Sequence, residues 1–405
     1  MKYSSRFQLG IVAVAAAVLP ATAGAQAQFP AAEIFLNESA WDDPAFVQTW
    51  APANSPTRIS LKTFPDKPPI FGVTPQVVIG RFEGQRIESI SFIFHDAGFF
   101  FGYIPRGAED PDAKAKEQAY DNEFDETLKT LREGLQELAD VKKGDGGQLG
   151  RRFPVPLPFE LYEHGEITSR IVAVEHQLIK LTLFRSREDA ETALDPETAE
   201  LSSRERDANY EQFIRKTEWS DVLIDEIPIF PQGNRAYCGV SSLSMVLHFL
   251  GVNLETEELA AGSAIQYGST RKMLIREVYV AAADEGEIRA SRATSFDFKK
   301  AKDSIDKGIP VIVFRRYDGQ RDYLHTTFAK RFKGDRTAEL PKPDLNDQAT
   351  WPPKASPAHA TIVNGYNEQR REVIFTESWG EHVRNRRMRI EEMEGTAYYA
   401  FYFRL

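Results

Sequence analysis

The sequence predicts an α+β protein built in two parts. Three observations predict it. Strand-type alternation fills 77–101 and returns at 166–185, with a charged amphipathic helix between. A stretch of acids, bases and few large apolar side chains follows at 187–220. Beyond it, a helix-periodic run opens at Cys238 and an alternating β-pattern opens near His359. The expected division is a leader at 1–25, an amino-terminal α+β domain at 26–187, a helical linker at 188–220 and a second domain at 221–405.

The leader has a basic start with Lys2 and Arg6, an apolar run at 11–19 and small residues at 21–25. This is the layout of a secretory signal peptide, with cleavage expected after Ala25 and with Ala23 or Ala27 as alternatives. A buried core helix is the bland alternative; coincidence of basic flank, apolar core and Ala-x-Ala site favours the leader. A bilayer span needs about 20 apolar residues, more than this run supplies. No later segment is apolar enough either. The expectation is an exported protein, periplasmic or extracellular, with no membrane span once the leader leaves.

The net charge of −10 becomes −12 without Lys2 and Arg6. An acidic chain without a basic cluster argues against nucleic acid or an anionic membrane as partner. The single cysteine excludes an intramolecular disulfide. A lone thiol in an oxidising compartment risks oxidation, which a reactive role would justify; a buried structural thiol is the alternative. Metal-type histidine spacing is absent, and no metal or cofactor is expected.

In the amino-terminal part, 26–75 reads as irregular and proline-rich, with a helix-like stretch at 41–50. The runs 77–82 and 87–94 flank Glu83-Gly84-Gln85 and read as a hairpin. Phe124, Leu128, Leu131, Leu135 and Leu138 fall at helical spacing within 110–142. The glycine-rich 142–149 reads as a loop, followed by strands near 166–175 and 177–185.

In the second part, a loop with Pro228, Pro231 and Gly233 delivers Cys238 to the start of a helix. Val240, Leu243, Val246, Leu247 and Leu250 lie on one face, and Gly251 is a natural stop. A thiol at a helix amino terminus feels the positive end of the macrodipole, which favours the thiolate. Gln232, six residues earlier, is placed to donate from its side-chain amide beside the Cys238 backbone N–H; a solvated loop residue is its bland reading. His359 opens Ala358-His359-Ala360-Thr361-Ile362-Val363, and a turn at 368–369 leads to a strand ending in Glu377-Ser378-Trp379-Gly380. That hairpin sets His359 facing Glu377 or a near neighbour; a carboxylate there would accept Nδ1–H and hold the ring toward a thiolate. A strand-end histidine satisfied by backbone is the alternative. His325 is a rival base on what reads as a surface loop, while His248, nearly three helical turns from Cys238, is out of reach.

The order Gln-x5-Cys-Gly, His-Ala-x-x-x-x-Gly-Tyr, Glu-Ser-Trp-Gly resembles the papain-like cysteine peptidase superfamily over about 226–405. The Cys-Gly-x-x-Ser-x-x-Met helix and Gly-Tyr-Asn strand end are more similar to its bacteriocin-processing peptidase-like branch. The resemblance implies a papain-like fold, in which the helix bearing Cys238 packs on an antiparallel sheet bearing His359, preceded by the separate α+β domain. It implies Cys238 as nucleophile, His359 as general base and Gln232 as oxyanion donor. Glu377 stands where papain-like enzymes carry Asn and the processing branch carries Asp, a departure that lengthens the reach to His359. The implied activity is hydrolysis of an amide bond in a peptide or protein substrate. A catalytically inactive papain-like module that binds peptide or protein is the alternative, and transfer to another acceptor would use the same residues. The long connection 317–357, charged and proline-rich, is expected to border the cleft.

Overall fold

Side chains that alternate with period two build two antiparallel sheets. The computed structural model describes residues 33–50, 57–102, 111–138, 141–263 and 275–405; the leader expected at 1–25 lies outside them. The first sheet holds β1 (Ile59–Thr63), β2 (Val77–Glu83), β3 (Arg86–Asp96), β4 (Lys142–Lys143), β5 (Gly147–Leu149), β6 (Leu157–His164), β7 (Ile167–Val174) and β8 (Leu178–Phe184). Its order is β1-β2-β3-β8-β7-β6-β4, with β5 also on β6. The second sheet holds β9 (Ile214–Lys216), β10 (Val222–Ile224), β11 (Arg289–Ala293), β12 (Val311–Arg316), β13 (Ala358–Asn367), β14 (Glu372–Thr376), β15 (Arg386–Arg389) and β16 (Ala397–Arg404). Its order is β11-β16-β12-β13-β10-β9, and β14 bridges β13 to β15.

Three expectations for the amino-terminal part change. Strand β1 lies within the stretch read as irregular: Lys62 breaks its apolar run, yet it is buried with its ammonium 3.9 Å from the Phe82 ring centroid. The glycine-rich 142–149 is not only loop. A Cβ on Gly146 would come within 2.5 Å of the Phe159 carbonyl oxygen, so glycine here admits an edge segment close to β6. Strand β6 itself is an addition to the two strands expected nearby. The hairpin β2–β3 and the helix Ala113–Glu137 stand where the sequence places them, whereas 41–50 holds only the short helix Pro44–Thr49. Within the linker region, three short helices precede β9, so the second sheet starts before 221.

The two faces of the first sheet go to different cores. Phe92, Ile179, Leu181 and Leu183 pack with Leu131 and Leu135 of the long helix. Ile93, Leu157, Leu161 and Val172 face the other way and join the core of the second half, built on Val246, Leu254 and Leu259. The two halves therefore share one continuous apolar core. Polar groups cross the same junction. Lys180 of β8, buried, sits 3.0 Å from Glu255 and 2.9 Å from Glu258. Ser91 donates to Glu255 (3.1 Å), and Arg170 approaches Glu258 (3.4 Å). Both carboxylates belong to the capping box of the buried helix Thr256–Gly262.

Breaking a buried ion pair strands the remaining charge. Lys180→Met should therefore lower unfolding stability in urea by about 3–5 kcal/mol, whereas Arg152→Ala, at an exposed pair with Asp284, should leave the midpoint unchanged.

Candidate active site

The loop before Cys238 is pinned by its apolar residues. Ile227, Ile229 and Phe230 are buried, and Gly233, at φ 61°, turns the chain. Cys238 is the first residue of the helix Cys238–Phe249, whose N-cap residue, Tyr237, makes no side-chain cap bond. The first backbone N–H groups of this helix have no intrahelical acceptor. The helix is buried from Gly239 to Phe249, not along one face alone, and Gly251 follows its C-cap residue at φ 79°. Cys238 itself is partly exposed, as a reacting thiol must be.

His359 is the second residue of β13, paired in register with Arg315 of β12. Glu377 follows the last residue of β14. The β13–β14 pairing brings the two side chains together: His359 Nε2 lies 2.5 Å from Glu377 Oε2. The ring hydrogen-bonds to the Cys238 sulfur as well. Nε2 being engaged by the carboxylate, Nδ1 is the nitrogen facing sulfur. This reverses the expected use of the two nitrogens and leaves the roles of both neighbours in place. Trp379 stacks on the imidazole at 4.3 Å between centroids, inclined by 27°.

Glu377 is fully buried and uses its two oxygens separately. Oε2 meets His359, while Oε1 accepts from Arg315 Nη2 (2.8 Å) and Arg386 Nη2 (2.7 Å). The same guanidiniums bind Asp322, at 2.9 Å from Arg315. Two cations and two anions balance, so the cluster carries no net charge onto which the catalytic pair must be added. Burial works against ionising Glu377, but His359, Arg315 and Arg386 together hold its carboxyl well below the usual carboxylate range. Burial likewise disfavours imidazolium, but the Glu377 charge and the bonds to Cys238 and Glu377 raise His359 to about 9. For Cys238, burial pushes the thiol up; the hydrogen bond and charge of His359, with the Ala360 backbone, bring it below its ordinary value. Both shifts favour a thiolate–imidazolium pair.

Gln232 is buried beside this pair. Its backbone N–H donates to the Ser378 carbonyl (2.9 Å), its Oε1 accepts from Ser378 Oγ (2.7 Å) and its Nε2 donates to the Arg235 carbonyl (2.9 Å). One Nε2 hydrogen stays available, because a primary amide has two.

The rival histidines lie elsewhere. His325 is not on a surface loop: it sits in the helix Gly319–Gly334, buried, with Nε2 3.1 Å from Glu392. His248 is buried mid-helix, where loss of hydration lowers it to about 3. The connection 317–357 meets the site from two sides. Tyr317 lies 5.7 Å from the His359 ring and 5.5 Å from Trp379, while Asp322 backs the arginines behind Glu377. Sequence reading missed Arg315, Arg386 and Asp322. The signal available was an arginine ending the apolar run Val311–Arg316 and an arginine cluster opening β15. Among the described residues, no group of three or more His, Cys, Asp or Glu could hold a metal, and no helix is long and apolar enough to cross a membrane.

The thiolate dominates above the depressed Cys238 value and the imidazolium persists up to about 9. Iodoacetamide should therefore label Cys238 rapidly near neutral pH, and His359→Ala should move the labelling midpoint up toward the ordinary thiol range, about 8.5. Removing the Glu377 charge lowers imidazolium stability, so in Glu377→Gln the His359 titration followed by NMR should shift to lower pH.

Similarity to known proteins falls in the second half of the chain. A solved structure from Bacillus anthracis described as a C39-like peptidase shares 15% identity, covering 45% of this chain and 96% of that one at a TM-score of 0.29. The peptidase domain of Streptococcus ComA, a bi-functional ABC transporter involved in quorum sensing, shares 17% identity over 44% of this chain and 96% of its own, at 0.27. No curated protein matches the chain. Residues 224–404 match the model of the Peptidase_C39 like family, a match that suggests a cysteine peptidase. Over residues 224–404 the chain is therefore similar to the Peptidase_C39 like family, in keeping with the papain-like cysteine peptidase superfamily.

Proposed function

We propose that the protein is an exported thiol hydrolase that cleaves peptide bonds through Cys238, His359 and Glu377, with Gln232 as oxyanion donor. The observation that carries this reading is one imidazole bonded on one side to a buried carboxylate and on the other to a sulfur at a helix start. A binding module has no need of an activated sulfur, so this contact weighs against the alternative of an inactive peptide-binding fold.

The chemistry follows from the positions. The Cys238 thiolate attacks the amide carbonyl, and the electron pair of the C=O moves to oxygen. The free Nε2 hydrogen of Gln232 and the Cys238 backbone N–H stabilise that oxyanion. As the tetrahedral adduct collapses, the His359 imidazolium protonates the departing amine. Neutral His359 then takes a proton from water, which attacks the thioester; the Cys238 thiolate leaves, the acid is released and the thiolate–imidazolium pair is restored. Glu377 stays ionised throughout, holding the ring and stabilising imidazolium. Export rests on the leader at 1–25.

With casein as a general peptide source, Cys238→Ala should abolish cleavage, and Gln232→Ala should cut kcat about 10²–10³-fold with little change in KM. Full activity in Cys238→Ala would remove the hydrolase reading. Amino-terminal sequencing of the protein recovered outside the cytoplasm tests export, with Gln26 expected as the first residue.

A further inference from the structure

The residues before Cys238 are not held by their own half of the molecule alone. Arg235 and Tyr237 both reach Asp96, the last residue of β3 in the first sheet. Asp96 Oδ2 accepts from Arg235 Nη1 at 2.8 Å, and Oδ1 accepts from the Tyr237 hydroxyl at 2.7 Å. The Gly98 N–H is shared between Asp96 Oδ1 (2.8 Å) and the Tyr237 oxygen (3.0 Å). A Cβ on Gly98 would lie 2.3 Å from Tyr237 Cζ, so only glycine allows this approach. Glu257 completes the set, 2.5 Å from Arg235 Nη1, and the Phe99 ring centroid covers the guanidinium at 4.2 Å. Asp96, Arg235, Tyr237 and Glu257 are all buried.

The fixed Arg235 then reaches the site. Its Nε donates to the Gln232 carbonyl (2.8 Å), and its own carbonyl takes the Gln232 Nε2 hydrogen at 2.9 Å. That bond sets which way the second Nε2 hydrogen points. Tyr237 directly precedes the nucleophile. A single carboxylate of the first sheet thus governs both the oxyanion amide and the backbone at the start of the cysteine helix.

We propose that Asp96 is a positioning residue for the Cys238 site, and that the amino-terminal unit is an integral part of the catalytic apparatus, not a removable restraint. This rests on the thiol hydrolase reading and deepens it. The geometry requires the carboxylate's two oxygens to serve two donors from one loop at once. An asparagine keeps one acceptor and loses the charge facing Arg235.

The test compares the full-length wild type with Asp96→Asn, Gly98→Ala and Glu255→Gln. Glu255 lies in the same junction but touches Lys180 and Ser91, not the cysteine loop. Iodoacetamide labelling of Cys238 is followed across pH, with thermal unfolding and casein cleavage alongside. Asp96→Asn and Gly98→Ala should each raise the labelling midpoint by about one pH unit, which slows labelling about tenfold at pH values below the wild-type midpoint. Both should lower kcat on casein more than they raise KM. Glu255→Gln should lose thermal stability and label at the wild-type rate. A labelling profile for Asp96→Asn that superimposes on wild type, or an equal slowing in Glu255→Gln, would reduce Asp96 to an interface tie and overturn the proposal. Should Asp96→Asn fail to fold, Gly98→Ala decides alone by the same criterion. A wild type that labels as an activated thiol but cleaves no casein removes the peptidase reading, while the labelling comparison still judges Asp96.

Discussion

The Cys238–His359 pair depends on the carboxylate of Glu377 staying ionised although it is fully buried. Alone, a buried carboxylate would take up a proton, because loss of hydration raises its pKa. Arg315 and Arg386 prevent this by binding one oxygen and leaving the other to His359. Asp322 in turn offsets the second cation. Remove the balance and the field at His359 changes sign: uncompensated guanidiniums would expel the imidazolium proton. The Cys238–His359 pair is thus tuned from behind, through the carboxylate of Glu377.

The departure at 377 follows from the same arrangement. A shorter side chain, as in related branches, can orient an imidazole with one acceptor. Glutamate has the extra methylene to span between the ring and two arginines on neighbouring strands. Arg315 lies in register with His359 on β12, and Arg386 pairs with Phe375 from β15. The longer reach is therefore matched to cations set one strand away on either side of the hairpin, and the lengthened contact is made secure by them.

How much was legible in the sequence divides along contact range. The contacts of His359 with Cys238 and Glu377 were readable because each residue sits in a local pattern: a helix start, an alternating strand, a strand end. The helix Ala113–Glu137 and the β2–β3 hairpin were readable for the same reason. Asp322 was not, since its role arises from Arg386, 64 residues away. His325 was misjudged because the helix Gly319–Gly334 has no clean apolar stripe; its order comes from Arg321, which binds Asp347 and Glu392 across the fold. The edge strands β4 and β5 were hidden by the glycines at 144, 146 and 147, which lie close to Leu161 and Phe159 of β6.

The shared core decides what kind of partner the amino-terminal unit can be. A segment that must leave needs an interface that tolerates water on both sides after parting, typically polar and modest in size. Here parting would expose Ile93, Leu157, Leu161 and Val172 together with Val246 and Leu254. It would also separate Lys180 from both of its carboxylates and leave Arg170 without Glu258. Separation therefore carries hydrophobic and electrostatic costs at once. The Asp96 clamp adds a third: the loop carrying Gln232 and Cys238 would lose the fixed point that orients Arg235. A catalytic half folded without the first sheet would have to find another anchor for its nucleophile, and neither its own sheet nor its own helices supply Tyr237 with the acceptor it uses here.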